Sequence, residues 1–521
     1  MQYLIFNRKS SLLGLGLLLG SMILDASPVS QQVAENVARN WMQQLKGKSY
    51  HVKRLSTPTV TKLGVAHPSK AQYHIVQMEE GGWVIVAGDD VARPVLGYGF
   101  SKLDPAKLPP SMMSWLEGQS KIISAVTNRQ KSNQKLGASL LKPDPEWEDL
   151  MGDTAQTVST RKLGANVKLG RARSEVNPLL WLEGNDEESG IRWGQSTVAQ
   201  DYSGAYTKHD TYNYYTPTVP GQEDKGHTLT GCVATAMGQV LYYYWYNGIP
   251  INALGSHQYT ISRRAGYQYD IGSVGANFGD YRWEDMTLTL NERSLENDLE
   301  AVKAISKLLF HLGVAVEMDY GYGMGDYGSL ANYCSSYYED TGECLDMESD
   351  NHSAMYALRT YFGIKTATWA RKKDYPTLWE TMLQDSLDNC MPVLYGGSGT
   401  GGHAFVLDGY ATEGYYHFNW GYDGQGNGWS RLDPLRFELN GDIYDFSDQQ
   451  QAVFLGGSAI KTLSEKHKII GREKTTNTTS NNDPMVGGGC TYNPHSRGVD
   501  LMMILMVILS ALYPIGRRYL R

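Results

Sequence analysis

Cysteine is scarce in this chain, with five residues in 521, and none falls with histidine at the short spacing a zinc site needs. An excess of basic charge is missing too. Lys and Arg number 47 against 55 Asp and Glu, a net charge of −8. No basic stripe runs along the chain, which sets nucleic-acid binding aside. Other signatures fail in their context. Gly397-Ser-Gly-Thr-Gly-Gly402 has the form G-x-G-x-x-G, but a strand-like stretch follows it where dinucleotide binding needs a helix. Ser398 lacks the closing glycine of G-x-S-x-G, because Thr400 stands there. The stretch Asp423-Gly-Gln-Gly-Asn-Gly428 has too few carboxylates for a calcium loop. Long apolar runs occur only at the two ends, and both are short for a membrane span.

What is present describes a globular protein: 41% hydrophobic and 20% charged residues, with 35 Tyr and 12 Trp. A chain of 521 residues predicts two or three folded units. Arg8 and Lys9 precede an apolar run over 12–24 and a small-residue zone at Asp25-Ala26-Ser27, the layout of a cleaved signal peptide over 1–26. At the far end, an apolar run over 501–515 precedes Arg517, Arg518 and Arg521 and follows a polar linker with Gly487-Gly-Gly-Cys490. That layout resembles bacterial C-terminal sorting signals. The expectation is an exported, extracellular or cell-surface protein. Its tail over 500–521 would be read by a sorting or processing enzyme, or held in the membrane as a transmembrane anchor.

Between the ends, apolar spacing predicts an amphipathic helix over 31–45, a hairpin over 72–87 turning at Glu79-Glu-Gly-Gly82, and a helix over 112–126. These make a small α+β unit over 27–130. Periodicity fades over 131–175, a linker holding Arg161, Lys162, Lys168, Arg171 and Arg173, where proteolysis would concentrate. The large unit, 176–457, shows helical patterns at 294–312, 353–362 and 375–387. Strand-like runs follow at 392–395, 404–408, 415–419 and 452–455. Helices first and strands later indicate an α+β fold with two lobes. A polar linker over 458–499 then leads to the tail. Cys334 and Cys344 bracket a polar loop and form either a disulfide or two thiols, and Cys390 reads as a buried free thiol.

The stretch 230–245 reads as a buried helix capped by Thr230 and stopped at Asn247-Gly248. Cys232 then sits in its first turn, where unpaired N–H groups and the helix dipole favour a thiolate. His403 stands where a glycine-rich loop enters a short strand, open to a substrate and to a partner thiol. Cys232 and His403 fit the roles of nucleophile and base. Asn419 is the candidate to hold the imidazole in one orientation, with the indole of Trp420 shielding that bond.

Thr230-Gly-Cys-Val-Ala-Thr-Ala, Gly402-His-Ala-Phe-Val-Leu-Asp-Gly and Tyr416-His-Phe-Asn-Trp-Gly421 resemble the catalytic blocks of the streptopain family of papain-like cysteine peptidases. The blocks at Val314-Ala-Val-Glu-Met-Asp-Tyr-Gly321 and Arg431-Leu-Asp433 agree, and the stretch from Gly82 to Tyr98 is similar to that family's inhibitory propeptide. The resemblance implies a papain-like catalytic domain with a helical lobe and an antiparallel β lobe, preceded by a small α+β prodomain. It implies an endopeptidase made as a zymogen, with protein or peptide substrates, its own propeptide as intramolecular inhibitor, and no cofactor or metal. It further implies that Gln195, in Ile191-Arg-Trp-Gly-Gln195, donates to the oxyanion beside the Cys232 backbone N–H. Two rivals remain: a Cys-dependent acyl transferase or amidase on the same fold, and a catalytically inactive surface adhesin.

Overall fold

The computed structural model describes residues 27–57, 73–135, 143–151, 176–195, 211–221, 223, 226–261, 271–291, 293–320, 353–372, 375–398, 402–411, 414–433 and 450–456. The expected signal peptide, the Gly-Cys linker, the C-terminal run, Cys334 and Cys344 lie outside these residues. The transmembrane reading of the tail is corrected: among the described residues no helix is long and apolar enough to cross a membrane. The run over 501–515 is itself shorter than the roughly 20 residues a span needs.

The N-terminal unit begins with α1 (Gln31–Lys46). Ser30 caps it by accepting the Val33 N–H at 3.3 Å, and Gly47 ends it in the left-handed conformation, φ 66°. Ala34, Val37, Ala38, Trp41 and Met42 are buried, the face the spacing predicts. Four strands follow as an antiparallel meander, β1 (Val52–Ser56), β2 (Tyr73–Met78), β3 (Trp83–Ala87) and β4 (Val95–Gly99). Helices α2 (Pro110–Lys135) and α3 (Glu146–Met151) complete it. The expected linker is therefore partly helical. Trp147 of α3 donates its indole N–H to Ala92 O at 2.8 Å, and Asn40 donates to Leu150 O at 2.7 Å, so the helix folds back onto this unit.

In the large unit α4 (Cys232–Tyr246) leads into the hairpin β5 (Ser256–Ile261) and β6 (Gly272–Asn277). The pattern over 294–312 is two helices, α5 (Ser294–Asn297) and α6 (Leu299–Ala315). The break falls at Asp298, whose carboxylate caps the second helix by accepting the Ala301 N–H. Then come α7 (Ala354–Thr360), β7 (Thr368–Arg371), α8 (Trp379–Asp388), β8 (Val393–Ser398), β9 (Gly402–Ala411), β10 (Tyr415–Asn419), β11 (Gly428–Arg431) and β12 (Gln451–Phe454). The last helix starts at Trp379 rather than at 375; residues 375–378 form a turn. Cys390 is not a free thiol but disulfide-bonded. Cys232, by contrast, is not in a disulfide.

The fold is α+β, with helices α4 to α7 set beside an antiparallel sheet. One feature of that sheet was not legible in the sequence: its ten strands run β1-β2-β3-β4-β11-β10-β9-β8-β12-β7, every neighbouring pair antiparallel, so both units share it. The seam is β4 against β11, with Tyr98 opposite Trp429 and Gly97 opposite Ser430. A β-carbon at Gly97 would lie 2.9 Å from both Ser430 Oγ and Trp429 O, so close strand approach needs glycine there. Across the seam Arg431 donates to Val95 O and to the Glu146 carboxylate, each at 3.0 Å, with its guanidinium 4.2 Å above the Tyr415 ring. Helix α2 lies over the sheet. Trp115 sets its ring edge-on to Phe418 at 4.9 Å and to Phe405 at 6.2 Å, and Gln119 donates to Leu432 O at 3.3 Å.

Trp115 is 7% exposed, and truncating a large aromatic at such a site costs about 3–5 kcal/mol. The Trp115→Ala change in a Cys232→Ala precursor is expected to lower the thermal unfolding midpoint of the N-terminal unit and to open the seam to added protease. Unchanged melting and protease resistance would show that α2 is not what holds the two units together.

Candidate active site

Helix α4 starts one residue later than the capping pattern predicts. The N-cap is Gly231 (φ 90°, ψ 151°), without a side-chain hydrogen bond. Thr230 instead gives its N–H to Asn213 Oδ1 at 2.9 Å. Only glycine takes this backbone conformation cheaply, which explains the override of threonine. Cys232 is consequently the first helical residue, 3% exposed, among N–H groups that have no partner within the helix. The stop at Asn247 and Gly248 is as expected: Asn247 caps and Gly248 has φ 72°.

The side of α4 near Cys232 meets the start of β9. Cys232 Sγ accepts the Ala404 N–H at 3.4 Å, so the thiol lies against the residue next to His403. His403 pairs with Gly397 of β8. Its Nδ1 is sealed from solvent with no hydrogen-bond partner. Burial pushes the His403 pKa down to about 4, so the ring is neutral at pH 7.

A third segment, 190–195, closes on the same helix start. Thr235, one turn after Cys232, shares its hydroxyl hydrogen between Gly231 O at 2.9 Å and Gly194 O at 3.4 Å, and so touches the residue before Gln195. The arm is pinned further back by Arg192 N–H to Leu288 O at 2.7 Å and Trp193 Nε1–H to Thr287 O at 2.8 Å. Gln195 is buried. Asn419, at the end of β10, donates to Ile191 O at 2.7 Å and accepts the Gly421 N–H at 3.1 Å. Its amide thus serves the arm and the turn, and the structure does not join it to His403. Trp420 is 1% exposed, packed 4.7 Å from Phe405 and 5.1 Å from Phe418, with its N–H given to Gly426 O at 2.8 Å. Its carbonyl accepts the Ser111 hydroxyl of α2 at 3.1 Å, so the N-terminal unit grips the turn beside the site. Among the described residues no group of three or more His, Cys, Asp or Glu is placed to hold a metal ion.

His417 is a residue whose part the sequence did not reveal. It lies between two carboxylates, Nδ1 at 2.7 Å from Asp408 and Nε2 at 2.5 Å from Glu187. Burial alone would lower its pKa, but Glu187 and Asp408 outweigh that and raise it to about 10. Glu187 also accepts from Asn427, and Asp408 accepts the Leu180 N–H at 3.0 Å. The cluster therefore ties the segment that carries the arm to β9 and β10. Glu187 is 230 positions away from His417, and no local pattern could have signalled the pair.

Residues 206–430 match the model of the Peptidase C10 family, and residues 26–123 match that of the Spi protease inhibitor. Streptopain of Streptococcus pyogenes is 28% identical over 399 residues, which cover 74% of this chain and 80% of the relative. The thiol protease/hemagglutinin PrtT of Porphyromonas gingivalis is 27% identical over 424 residues, 80% of this chain and 40% of the relative. Among solved structures, a fragment of prointerpain A from Prevotella intermedia aligns with a TM-score of 0.50 at 26% identity, covering 79% of this chain and 99% of that one. A thiol at a helix start beside a strand-borne histidine, under an inhibitor-like domain, defines the class: a cysteine endopeptidase in zymogen form, acting on peptides and restrained by its own propeptide. The chain belongs to the Peptidase C10 family, the streptopain-like peptidases, and carries a Spi-type inhibitor domain as propeptide.

The His417 cluster gives a pH test. A histidine with a folded pKa of about 10 against about 6.5 unfolded stabilises fully below 6.5, and that contribution is lost as pH rises toward 10. His417→Gln would leave two buried carboxylates without their cation, a cost of about 3–5 kcal/mol. Denaturant melts of the Cys232→Ala precursor should show this deficit near pH 6 and a shrinking one by pH 10. A deficit that does not change with pH would mean His417 is uncharged in the fold.

Proposed function

We propose that Cys232 is the nucleophile of this endopeptidase and His403 its general base and acid. The observation that carries this is the Ala404 N–H donated to Cys232 Sγ. It sets the thiol at the strand start that carries the imidazole, although the two are separated by 171 positions in the chain. Catalysis is acyl transfer. The Cys232 thiolate attacks the scissile carbonyl, protonated His403 gives its proton to the leaving amine, and water hydrolyses the thioester. Gln195 and the Cys232 N–H hold the oxyanion; the contact of Thr235 with Gly194 O and the bonds to Arg192 and Ile191 support this by holding the arm near the helix start. Asn419 orients His403 once the propeptide has gone, its Oδ1 leaving the Gly421 N–H for the imidazole, and Trp420 covers that bond. In the precursor His403 is uncharged and has no partner at Nδ1, which accounts for latency.

The working protein is exported and cut within the segment 131–175, freeing a catalytic unit of 176–457 from a propeptide of 27–130. The tail over 500–521 is read by a sorting or processing enzyme at the cell surface. Support for export comes from the charged, apolar and small-residue order over 1–26.

Incubation of the purified precursor with a thiol reductant is expected to yield self-processing, absent in Cys232→Ala and His403→Ala. Removal of one oxyanion donor costs about 2.7–4 kcal/mol of barrier, so Gln195→Ala should lower kcat about 100- to 1,000-fold with KM little changed. Incorporation of an added primary amine in place of hydrolysis would favour the acyl-transferase rival. No covalent labelling of Cys232 by a thiol-directed epoxide, in processed protein, would favour the inactive adhesin.

A further inference from the structure

The turn between β10 and β11 packs a carboxyl group against the arm that bears Gln195. Residues 421–426 include four in the left-handed region: Gly421 (φ 68°), Asp423 (φ 52°), Gly424 (φ 73°) and Gly426 (φ 70°). Three are glycines, for which that conformation is cheap; Asp423 takes it with a side chain. The strained residue points inward. A β-carbon at Gly194 would lie 2.6 Å from Asp423 Oδ1, so the carboxyl rests on the glycine next to Gln195. Asp423 Oδ1 is sealed from solvent and has no hydrogen-bond partner. The other contacts close the space round it. Arg192 lays its stem on Gly424, Thr235 of α4 packs under Gly421, and Tyr212 hydrogen-bonds with the Asp423 side chain.

We propose that Asp423 is a positioning residue for peptide hydrolysis: its carboxyl props Gly194 so that the Gln195 amide faces the start of the Cys232 helix. This rests on the reading of Gln195 as an oxyanion donor. A strained side chain with one buried oxygen left unpaired is costly to keep, and here it bears on the arm that the reaction needs held. The chemistry also requires the prop to stay uncharged, because an anion beneath the arm opposes the oxyanion that forms above it. Burial pushes the Asp423 pKa up to about 8, against the lowering by Tyr212. Of the other titratable groups facing it, Tyr212 is raised well above its usual value by burial first, and Arg192 turns its guanidinium away to Glu188 at 2.5 Å. Cys232 and His403 belong to the reacting centre. Among the described residues no neighbouring cation is left to neutralise Asp423 once it ionises, so ionisation should weaken the transition state in particular.

The test is the kcat and KM of the mature enzyme, processed from the full chain, between pH 6 and 9.5 on a peptide substrate. One unit above a pKa of about 8, roughly a tenth of the group keeps its proton, so wild-type kcat at pH 9 should fall about tenfold from its pH 7 value. In Asp423→Asn that ratio should stay within about twofold, with KM tracking wild type. A pH profile of Asp423→Asn that superimposes on wild type overturns the proposal. So does a loss seen only in the melting temperature. Should Asp423→Asn fail to fold, Gly194→Ala serves instead: it should collapse kcat, and Gly194→Ala/Asp423→Gly should restore it, whereas no rescue overturns the contact. Gln195→Ala separates the two readings. Full kcat in that variant defeats the oxyanion assignment, and with it this one; a large loss there beside an unchanged Asp423→Asn profile defeats the Asp423 assignment alone.

Discussion

A helix start pressed on a strand start is the constraint from which the rest of the site follows. Cys232 Sγ can receive the Ala404 N–H only if α4 is held in place along β9. The sequence supplies that fixity through bulk. Every residue of α4 from Cys232 to Tyr244 is buried, and the helix is wedged between α6 and β9. Its tyrosines are anchored at their tips as well, Tyr242 on Met286 O at 2.8 Å and Tyr243 on Cys390 O at 2.9 Å. A helix buried on all sides has no amphipathic freedom to slide. The reactive atom is thereby placed by the core, not by a loop.

The propeptide uses the same logic from outside. An uncovered β11 would present a row of unpaired backbone groups, the usual liability of an edge strand, and β4 covers it as one more strand of the sheet. Backbone pairing alone is not selective. Selectivity comes from Arg431, 1% exposed, two of whose polar partners, Val95 O and Glu146, belong to the N-terminal unit. Stripping such a buried charge of its partner costs about 3–5 kcal/mol. Cutting the chain after α3 would therefore not by itself part the two units, because the seam is noncovalent and continuous with the sheet. Release requires the cut and then the loss of this strand pairing, through further cleavage or local unfolding.

How much of this was written in the chain depends on the range of the interaction. Cys232, His403 and the Asn419-Trp420 pair stood out because local composition marks them: a lone cysteine ahead of an apolar helix, a histidine among glycines, an amide and indole at a strand end. Strand β3 was readable from an unbroken apolar run, and β2 and β10 from aromatic and β-branched residues with few polar breaks. Strands β4 and β11 were not, since Val-Leu-Gly-Tyr-Gly and Gly-Trp-Ser-Arg carry glycines that read as turns. Those glycines exist because of each other: at Gly428 a β-carbon would meet Tyr98 O at 2.6 Å. The helix cap failed for a related reason, Gly231 winning over Thr230 on backbone conformation. The Glu187–His417 and Glu146–Arg431 pairs, 230 and 285 positions apart, leave no local trace at all.

Buried charge gives the proposed catalytic set a reason to be latent. Three carboxyl groups lie inside the large unit near the site, and the fold treats them in two ways. Glu187 and Asp408 share the His417 cation, which keeps its proton up to about pH 10, whereas Asp423 keeps its own up to about pH 8. His403, by contrast, has no anion to hold a proton and stays neutral down to about pH 4. Above about pH 4, then, the precursor offers Cys232 no imidazolium from His403, while the helix start favours the thiolate. On the proposed reading, what the precursor lacks is not a residue but a partner for one ring: His403 Nδ1 is buried without a hydrogen bond. Activation would then amount to letting water or a hydrogen-bond acceptor reach that nitrogen, with the His417 and Asp423 protons left where they are.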